Sequence, residues 1–267
     1  FVSYCGPVNS EYRGRLLDEC FHADIEAKEI PVSGDMEVTA FFVSHEILGR
    51  WALEGLPADD LSTQNGIMVT RSSRFPLMID PQGQALSWIT KREPKLAEFP
   101  VCVQTLGNPR LRDDLKMPLA EGYPVLIQSV ENEVDPMLDP ILEKQVVKKG
   151  RGFLLKLGDQ DFDYDEKFQL YMTSRLANPL WSPELAAKTT IIDFTVTQTG
   201  LEQQLLSRLI AKEQRQLEEQ LDQLNTSVVL NKATLQELEE QLLDKLASVE
   251  GSLLDDPDIL DVLANIK

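Results

Sequence analysis

Histidine is almost missing from this chain: His22 and His45 are the only two in 267 residues, and neither has a metal-ligating partner at a useful spacing. A zinc site needs about four nitrogen, sulfur or oxygen donors, so metal binding is not expected. Cysteine is scarce too. Cys5, Cys20 and Cys102 are odd in number and far apart, which fits reduced structural thiols in a cytosolic compartment better than a disulfide framework. No stretch approaches the roughly 18 consecutive apolar residues of a membrane span. Phe1, Val2, Ser3 and Tyr4 offer neither the basic region nor the apolar core of a signal peptide, and the chain reads as soluble and intracellular. Basic residues are in deficit, 26 Lys and Arg against 44 Asp and Glu, for a formal charge of −18. That excess repels phosphate backbones and anionic lipid, so direct nucleic-acid or membrane binding is not expected. It equally disfavours direct contact with a strongly acidic filament surface.

What is present is ample apolar material, 42% of the residues, enough for a large core. Residues 1–36 read as a helical lead-in, broken at Gly6-Pro7 and carrying Tyr12, Leu16 and Leu17 at helical spacing. Over residues 37–51 the apolar pattern suggests a strand or the start of a helix. Gly55-Leu56-Pro57 and Asp59-Asp60 then read as a turn and a cap, with a new element beginning near Leu61. Phe75, Pro76, Leu77, Met78 and Ile79 form a short buried-strand run that enters a glycine-containing loop, and a helix follows through Leu86, Trp88 and Ile89. Further strand candidates are Val101-Cys102-Val103, Tyr123 to Ile127, Phe153-Leu154-Leu155, the alternating Phe168, Leu170 and Met172, and Thr190 to Phe194, with a helix over 108–119. Strands alternating with helices predict an α/β domain over 37–198, with a mainly parallel five-stranded sheet flanked by helices.

Residues 201–250 contain neither proline nor glycine and are rich in Leu, Gln, Glu and Lys, which predicts one long helix. Thr199 and Glu202 are spaced as a capping box for its start. Leu217, Leu221, Leu224 and Val228, then Leu235, Leu238, Leu242 and Val249, repeat at the spacing of a coiled-coil seam with a phase slip near Asn231. At about 1.5 Å per residue such a helix is on the order of 70 Å long, more than a domain of this size can cover, so it is expected to project. A hairpin tip is expected at about 250–257, with Pro257 opening a returning helix.

A loop that grips nucleotide phosphates reads GxxxxGK[ST]: bare backbone N–H groups surround the phosphates, Lys reaches the terminal ones and the hydroxyl holds Mg²⁺. Here the strand runs into Asp80-Pro81-Gln82-Gly83-Gln84-Ala85-Leu86-Ser87, which has the length and context of that loop without its chemistry. Gly83 and the Ser87 hydroxyl survive, Leu86 replaces the lysine and Ala85 the second glycine. Asp80 is expected at the mouth of the anion site, where two unit charges 4 Å apart at an effective dielectric of about 20 repel by roughly 4 kcal/mol. The strand end that normally supplies Asp-Glu for the metal and the water reads Gln128-Ser129 instead. Glu131 and Glu133 lie nearby in the wrong register.

Gly55-Leu56-Pro57, Asn65-Gly66, the run from Arg74 through Asp80-Pro81-Gln82-Gly83-Gln84-Ala85, Asp135-Pro136-Met137-Leu138-Asp139-Pro140, Asn178-Pro179 and Asp193-Phe194-Thr195-Val196-Thr197 together resemble the fifth AAA+ module of dynein heavy chains, a P-loop NTPase fold. The resemblance covers essentially the whole chain. Leu201-Glu202-Gln203-Gln204-Leu205-Leu206 resembles the opening of the small subdomain and of the buttress coiled coil, and Gly251 to Asp256 its tip.

This resemblance implies a ring of six linked modules, with ATP and Mg²⁺ used elsewhere in the ring and no cofactor in this module. It implies that residues 1–36 follow the microtubule-binding stalk and that 199–267 begin the small subdomain and buttress. The implied partners are the neighbouring modules and the stalk coiled coil, with the microtubule reached only indirectly. Arg175 stands at the sensor position, where active AAA+ enzymes often place a polar amide. The run Leu170 to Pro179 looks more like axonemal than cytoplasmic heavy chains, which implies a cilium or flagellum. Beside the non-hydrolysing module stand two alternatives, an atypical but active ATPase module and a coiled-coil scaffold with a globular anchor.

Overall fold

The structure is a computed structural model. It describes residues 2–31, 38–57, 59–131, 133–149, 152–158, 160–196 and 198–213, followed by residues 216, 220, 223, 224, 226–228, 230–232, 234, 235, 238, 240 and 243. The chain opens with a 3₁₀ turn (Val2–Cys5) and helix α1 (Ser10–Gly14), whose first turn is closed by Asn9 accepting the N–H of Tyr12 at 3.0 Å. A π turn (Arg15–Phe21) and α2 (His22–Ala27) continue it. This lead-in does not stand apart. Cys5 and Leu17 are buried in the same apolar cluster as Trp51 and Trp88, and the Arg13 side chain, 1% exposed, ties the segment down. Its guanidinium donates to Asn65 Oδ1 at 2.8 Å and to the carbonyl of Gly6 at 3.0 Å. Gly6 in turn accepts the N–H of Asp193 at 3.0 Å. It lies so close to the last strand that an added Cβ would collide with the carbonyl oxygen of Ile191, so only glycine fits there.

The stretch that was ambiguous in sequence holds two helices among its described residues, α3 (Val38–Phe42) and α4 (His45–Leu53). Helix α5 (Asp60–Arg71) starts where expected, with Asp59 accepting the N–H of Ser62 at 3.1 Å. Strand β1 (Pro76–Ile79), helices α6 (Gln84–Arg92) and α7 (Pro94–Glu98), β2 (Val103–Thr105), α8 (Leu111–Glu121), β3 (Val125–Gln128) and α9 (Asp139–Leu142) follow. Then come β4 (Val146–Lys149), β5 (Gly152–Leu157), β6 (Gln160–Tyr164), β7 (Leu170–Ser174), α10 (Pro183–Lys188), β8 (Thr190–Asp193) and α11 (Gln198–Glu213). Five strands form one sheet in the order β2-β3-β7-β1-β8, with every pairing parallel.

Alternation along the strands sorts the core into two layers. Met78, Leu126, Tyr171 and Ile192 face a cluster with Ile67, Met68, Ala85, Trp88 and Phe194. Leu77, Val125, Ile127, Leu170 and Met172 face the opposite cluster, with Leu111, Leu115 and Leu119 of α8 and Phe162 of β6. Burial on both faces explains why these strands read as unbroken apolar runs.

Several sequence expectations shift. Phe153, Leu154 and Leu155 do not join the parallel sheet; they belong to a separate antiparallel sheet, β4-β5-β6. In β5 the inward Leu155 and Leu157 alternate with the exposed Lys156, the pattern of a sheet with one wet face. β2 lies two residues later than expected because Pro100–Cys102 form a 3₁₀ turn first. β7 does not alternate: all five of its residues are buried, because both sheet faces are covered. The arm helix starts at Gln198, which puts Thr199 inside the first turn rather than at the cap, and Glu202 takes its hydrogen bond from Gln198 Nε2 at 3.1 Å.

Of the expected seam, Leu224, Val228 and Leu235 are helical and exposed, and Leu238 is helical and half-buried. Leu217, Leu221, Leu242 and Val249 lie outside the described residues, as do the expected tip at 250–257 and the returning helix.

Candidate functional site

The carboxyl ends of parallel strands are where open α/β sheets place their ligand crevices, and β1, β3 and β7 meet there in the middle of this sheet. After Ile79 the chain turns through residues 80–83 into α6. Gly83 sits in the left-handed region at φ 78° with open space around a hypothetical Cβ, so backbone conformation and not crowding calls for glycine at this position. Ala85 is fully buried in the core under α6, which accounts for a small apolar residue where the phosphate-binding pattern has its second glycine.

Asp80 differs from its expected place. Its side chain is not a loose carboxylate at the mouth: the residue is 2% exposed, with Oδ1 accepting the N–H of Gln84 at 2.7 Å and Oδ2 that of Leu86 at 2.9 Å. Its own N–H donates to the carbonyl of Ser174 in β7 at 2.8 Å. Asp80 thus occupies backbone donors that would otherwise point at a bound anion. The conflict with phosphate is direct competition for N–H groups as well as charge repulsion.

A pocket of about 200 Å³ brings together Asp80, Pro81, Gln82, Gly83 and Leu86 with Gln128, Thr173 and Arg175. Three segments far apart in sequence, the loop, the end of β3 and the end of β7, therefore converge. The volume falls short of the roughly 300–1,000 Å³ usual for small-molecule sites. Gln84, Ala85 and Ser87 do not line it; Ser87 is exposed on α6. Ser129 also lies outside the lining. It is exposed with φ 57°, a left-handed conformation that costs a non-glycine residue on the order of 1 kcal/mol. The chain then returns to the sheet through the N–H of Val130 donating to the carbonyl of Thr173 at 2.9 Å.

Thr173 was not legible as a pocket residue. Its only signal was its place two positions before Arg175, and that needed the register of β7 against β1, where Met78 pairs with Thr173.

The pocket's donor set can be compared with what a magnesium triphosphate requires. No lysine stands on the loop, the end of β3 offers the Gln128 amide, and the pocket carboxylate Asp80 is committed to Gln84 and Leu86. Among the described residues, Arg175 is the only cation lining it. No cluster of three or more His, Cys, Asp or Glu suited to a metal ion occurs among the described residues. These residues do not fit that ligand.

The strongest electrostatic perturbations lie away from the pocket. Burial lowers Arg13 to about 10, and the nearby Cys5 and Asp193 partly offset this. Tyr171 is pushed well up, first by burial and then by Glu93, which accepts its hydroxyl hydrogen at 3.2 Å. Burial also raises Glu54, against the opposing hydrogen bond from Trp88 Nε1 at 3.0 Å. Lys188 holds Glu184, Asp139 and Glu143 at 2.7, 3.0 and 3.3 Å and is raised accordingly, which fastens α10 to α9.

Residues 49–267 match the family described as the ATP-binding dynein motor region. The chain is 46% identical over 269 residues to the Dynein gamma chain, flagellar outer arm, of Chlamydomonas reinhardtii, covering 100% of this chain and 6% of that protein. It is 43% identical over 263 residues to Dynein axonemal heavy chain 8 of Mus musculus, covering 98% of this chain and 6% of that protein. Against the Dynein-1-beta heavy chain, flagellar inner arm I1 complex, of Chlamydomonas reinhardtii the identity is 39% over 267 residues, covering 100% of this chain and 6% of that protein. The chain therefore spans about 6% of the length of the curated relatives it matches.

Proposed function

Because this chain belongs to the ATP-binding motor region of dynein heavy chains, we propose that it is the fifth, non-hydrolysing AAA+ module of an ATP-driven microtubule motor. In this reading the module passes conformational change between the motor ring and the microtubule-binding stalk through its buttress. The observation that carries the reading is the convergence of Leu86, Gln128 and Arg175 on one pocket. These are the three places where a hydrolytic module would offer a phosphate-gripping cation, a metal-holding acid and a polar sensor. With all three changed, the module transmits force without producing it.

Its partners are then the neighbouring modules of the same heavy chain and the stalk coiled coil. The exposed leucines of α11 are the root of the helix that would meet the stalk. The flagellar and axonemal names of the relatives support a place in a cilium or flagellum.

Titration of the protein with ATP and Mg²⁺ by calorimetry is expected to give no saturable binding below millimolar nucleotide, and no phosphate release above buffer. Micromolar affinity or measurable turnover would overturn the non-hydrolysing reading and favour an atypical active ATPase module.

A further inference from the structure

The start of α6 poses an accounting question. The first four N–H groups of a helix have no partner within it, and here the first internal bond is Ser87 N–H to the carbonyl of Gly83 at 3.1 Å. The N–H groups of Gln84, Ala85 and Leu86 are left, and the capping residue, Gly83, makes no side-chain cap hydrogen bond. In a working loop a phosphate takes such donors. In this chain the two oxygens of Asp80 take those of Gln84 and Leu86, at 2.7 and 2.9 Å, lengths typical of charge-assisted bonds. Asp80 is itself fixed at both ends of its peptide unit: its N–H reaches Ser174 at 2.8 Å, and its carbonyl accepts the N–H of Gly83 at 3.4 Å.

The same turn touches the arm. Gln84 shares with Asp59, Ser62, Phe194, Gly200 and Gln204 a gap of only about 10 Å³, near the smallest space that holds one water. The end of the loop, the capped start of α5 and the first turns of α11 therefore line one small gap. Gln84 thus stands both at the end of the loop and beside the root of the arm.

We infer that the Asp80 carboxylate is a tethered stand-in for a phosphate, which keeps the loop permanently in its anion-filled shape and so fixes the seat of α11. The inference rests on the reading of the loop as nucleotide-free. It adds to that reading a mechanical state: the joint between sheet and arm is held as if loaded, at every stage of any cycle elsewhere. A joint whose anion is covalently attached cannot be released by product departure, which suits a part that must relay strain without yielding.

Amide hydrogen exchange of the full chain, wild type against Asp80→Ala and Asp80→Asn, tests this. In Asp80→Ala the amides of Gln84 and Leu86 are expected to exchange about tenfold faster and those of residues 198–206 about threefold faster, with β1, β3 and β7 unchanged. Millimolar inorganic phosphate is expected to restore protection in the variant and to leave the wild type unaltered, while sodium chloride at equal ionic strength restores nothing. Asp80→Asn keeps the shape and one acceptor, so it is expected to deprotect one of the two loop amides and part of the arm root. If Asp80→Ala loses protection throughout the sheet, Asp80→Asn decides alone.

Unchanged loop exchange, or no rescue by phosphate, overturns the stand-in; a change confined to the loop overturns the link to the arm. Both outcomes are separable from failure of the nucleotide-free reading, which would show as Mg²⁺-ATP binding by the wild type.

Discussion

The globular part and the arm use the same aliphatic side chains under opposite conditions. Leu77 and Leu126 have no exposed surface in the sheet, whereas Leu205 and Leu209 of α11 are each 57% exposed. In the sheet the apolar residues are consumed in pairs of layers, one on each face. On α11 and the described positions beyond it they form a surface that nothing within the described residues covers. The difference teaches that leucine content by itself says little about where stability resides. What matters is whether the chain supplies its own second surface.

The largest expected effect comes from removing a ring at the centre of the covered half. Trp88 is fully buried, packs edge-on against Trp51 at 5.8 Å, and lies under the guanidinium of Arg92 at 5.4 Å. Trp88→Ala is expected to lower unfolding free energy by about 3–5 kcal/mol in urea titration. Leu205→Ala in the arm should change it by no more than about 0.5 kcal/mol. Equal losses at the two sites would mean that the Leu205 face of the arm is packed onto the domain and would end the contrast.

A second variant asks on which side of the contrast the lead-in falls. Arg13→Ala leaves Asn65 Oδ1 without its donor, at a cost of about 1–3 kcal/mol for a buried acceptor, and takes from the Gly6 carbonyl one of two donors, the N–H of Asp193 remaining. A loss of about 1–3 kcal/mol in the same titration would mark residues 2–27 as part of the cooperative fold. A loss near zero would detach them from it.

The smallest effect sharpens the comparison through pH. Burial raises Glu54, so its folded state favours the neutral acid. Its contribution to stability is fullest below the ordinary glutamate range and declines as pH rises through the raised folded value. Glu54→Gln keeps an acceptor for Trp88 and removes the charge. At pH 7 it is expected to stabilise the fold by at most about 0.5 kcal/mol, given the group's partial exposure to solvent. The gain should vanish by about pH 3.5, where the wild-type carboxyl is protonated in both states. A gain that grew on acidification would reverse the assignment.

Much of the fold was legible. The runs at 75–79, 123–127 and 190–194 became β1, β3 and β8 nearly in place, because strands covered on both faces leave continuous apolar stretches. Asp59 announced α5 because a capping side chain acts over three residues. The insert sheet was misplaced because Phe153-Leu154-Leu155 is too short a run to reveal by itself which sheet it joins. Thr199 and Glu202 have capping-box spacing, but local spacing cannot exclude a helix that begins two residues earlier. At the site, the absence of Lys and of Asp-Glu at Leu86 and Gln128-Ser129 was an expectation from the linear pattern, and the place of Arg175 one from the family resemblance. The role of Asp80 could not, since its partners depend on how residues 80–83 turn.

The order of residues alone determined that strands alternate with helices, that residues 201–250 hold neither proline nor glycine, and that no lysine stands in residues 80–87. These are local matters of periodicity, propensity and spacing. Only the tertiary structure decided that β1, β3 and β7 are neighbours, that their ends enclose a single small pocket, and that Asp80 turns inward onto Gln84 and Leu86 instead of facing a ligand. A hydrogen-bond partner is chosen by the three-dimensional position of a donor, and no one-dimensional pattern carries that position.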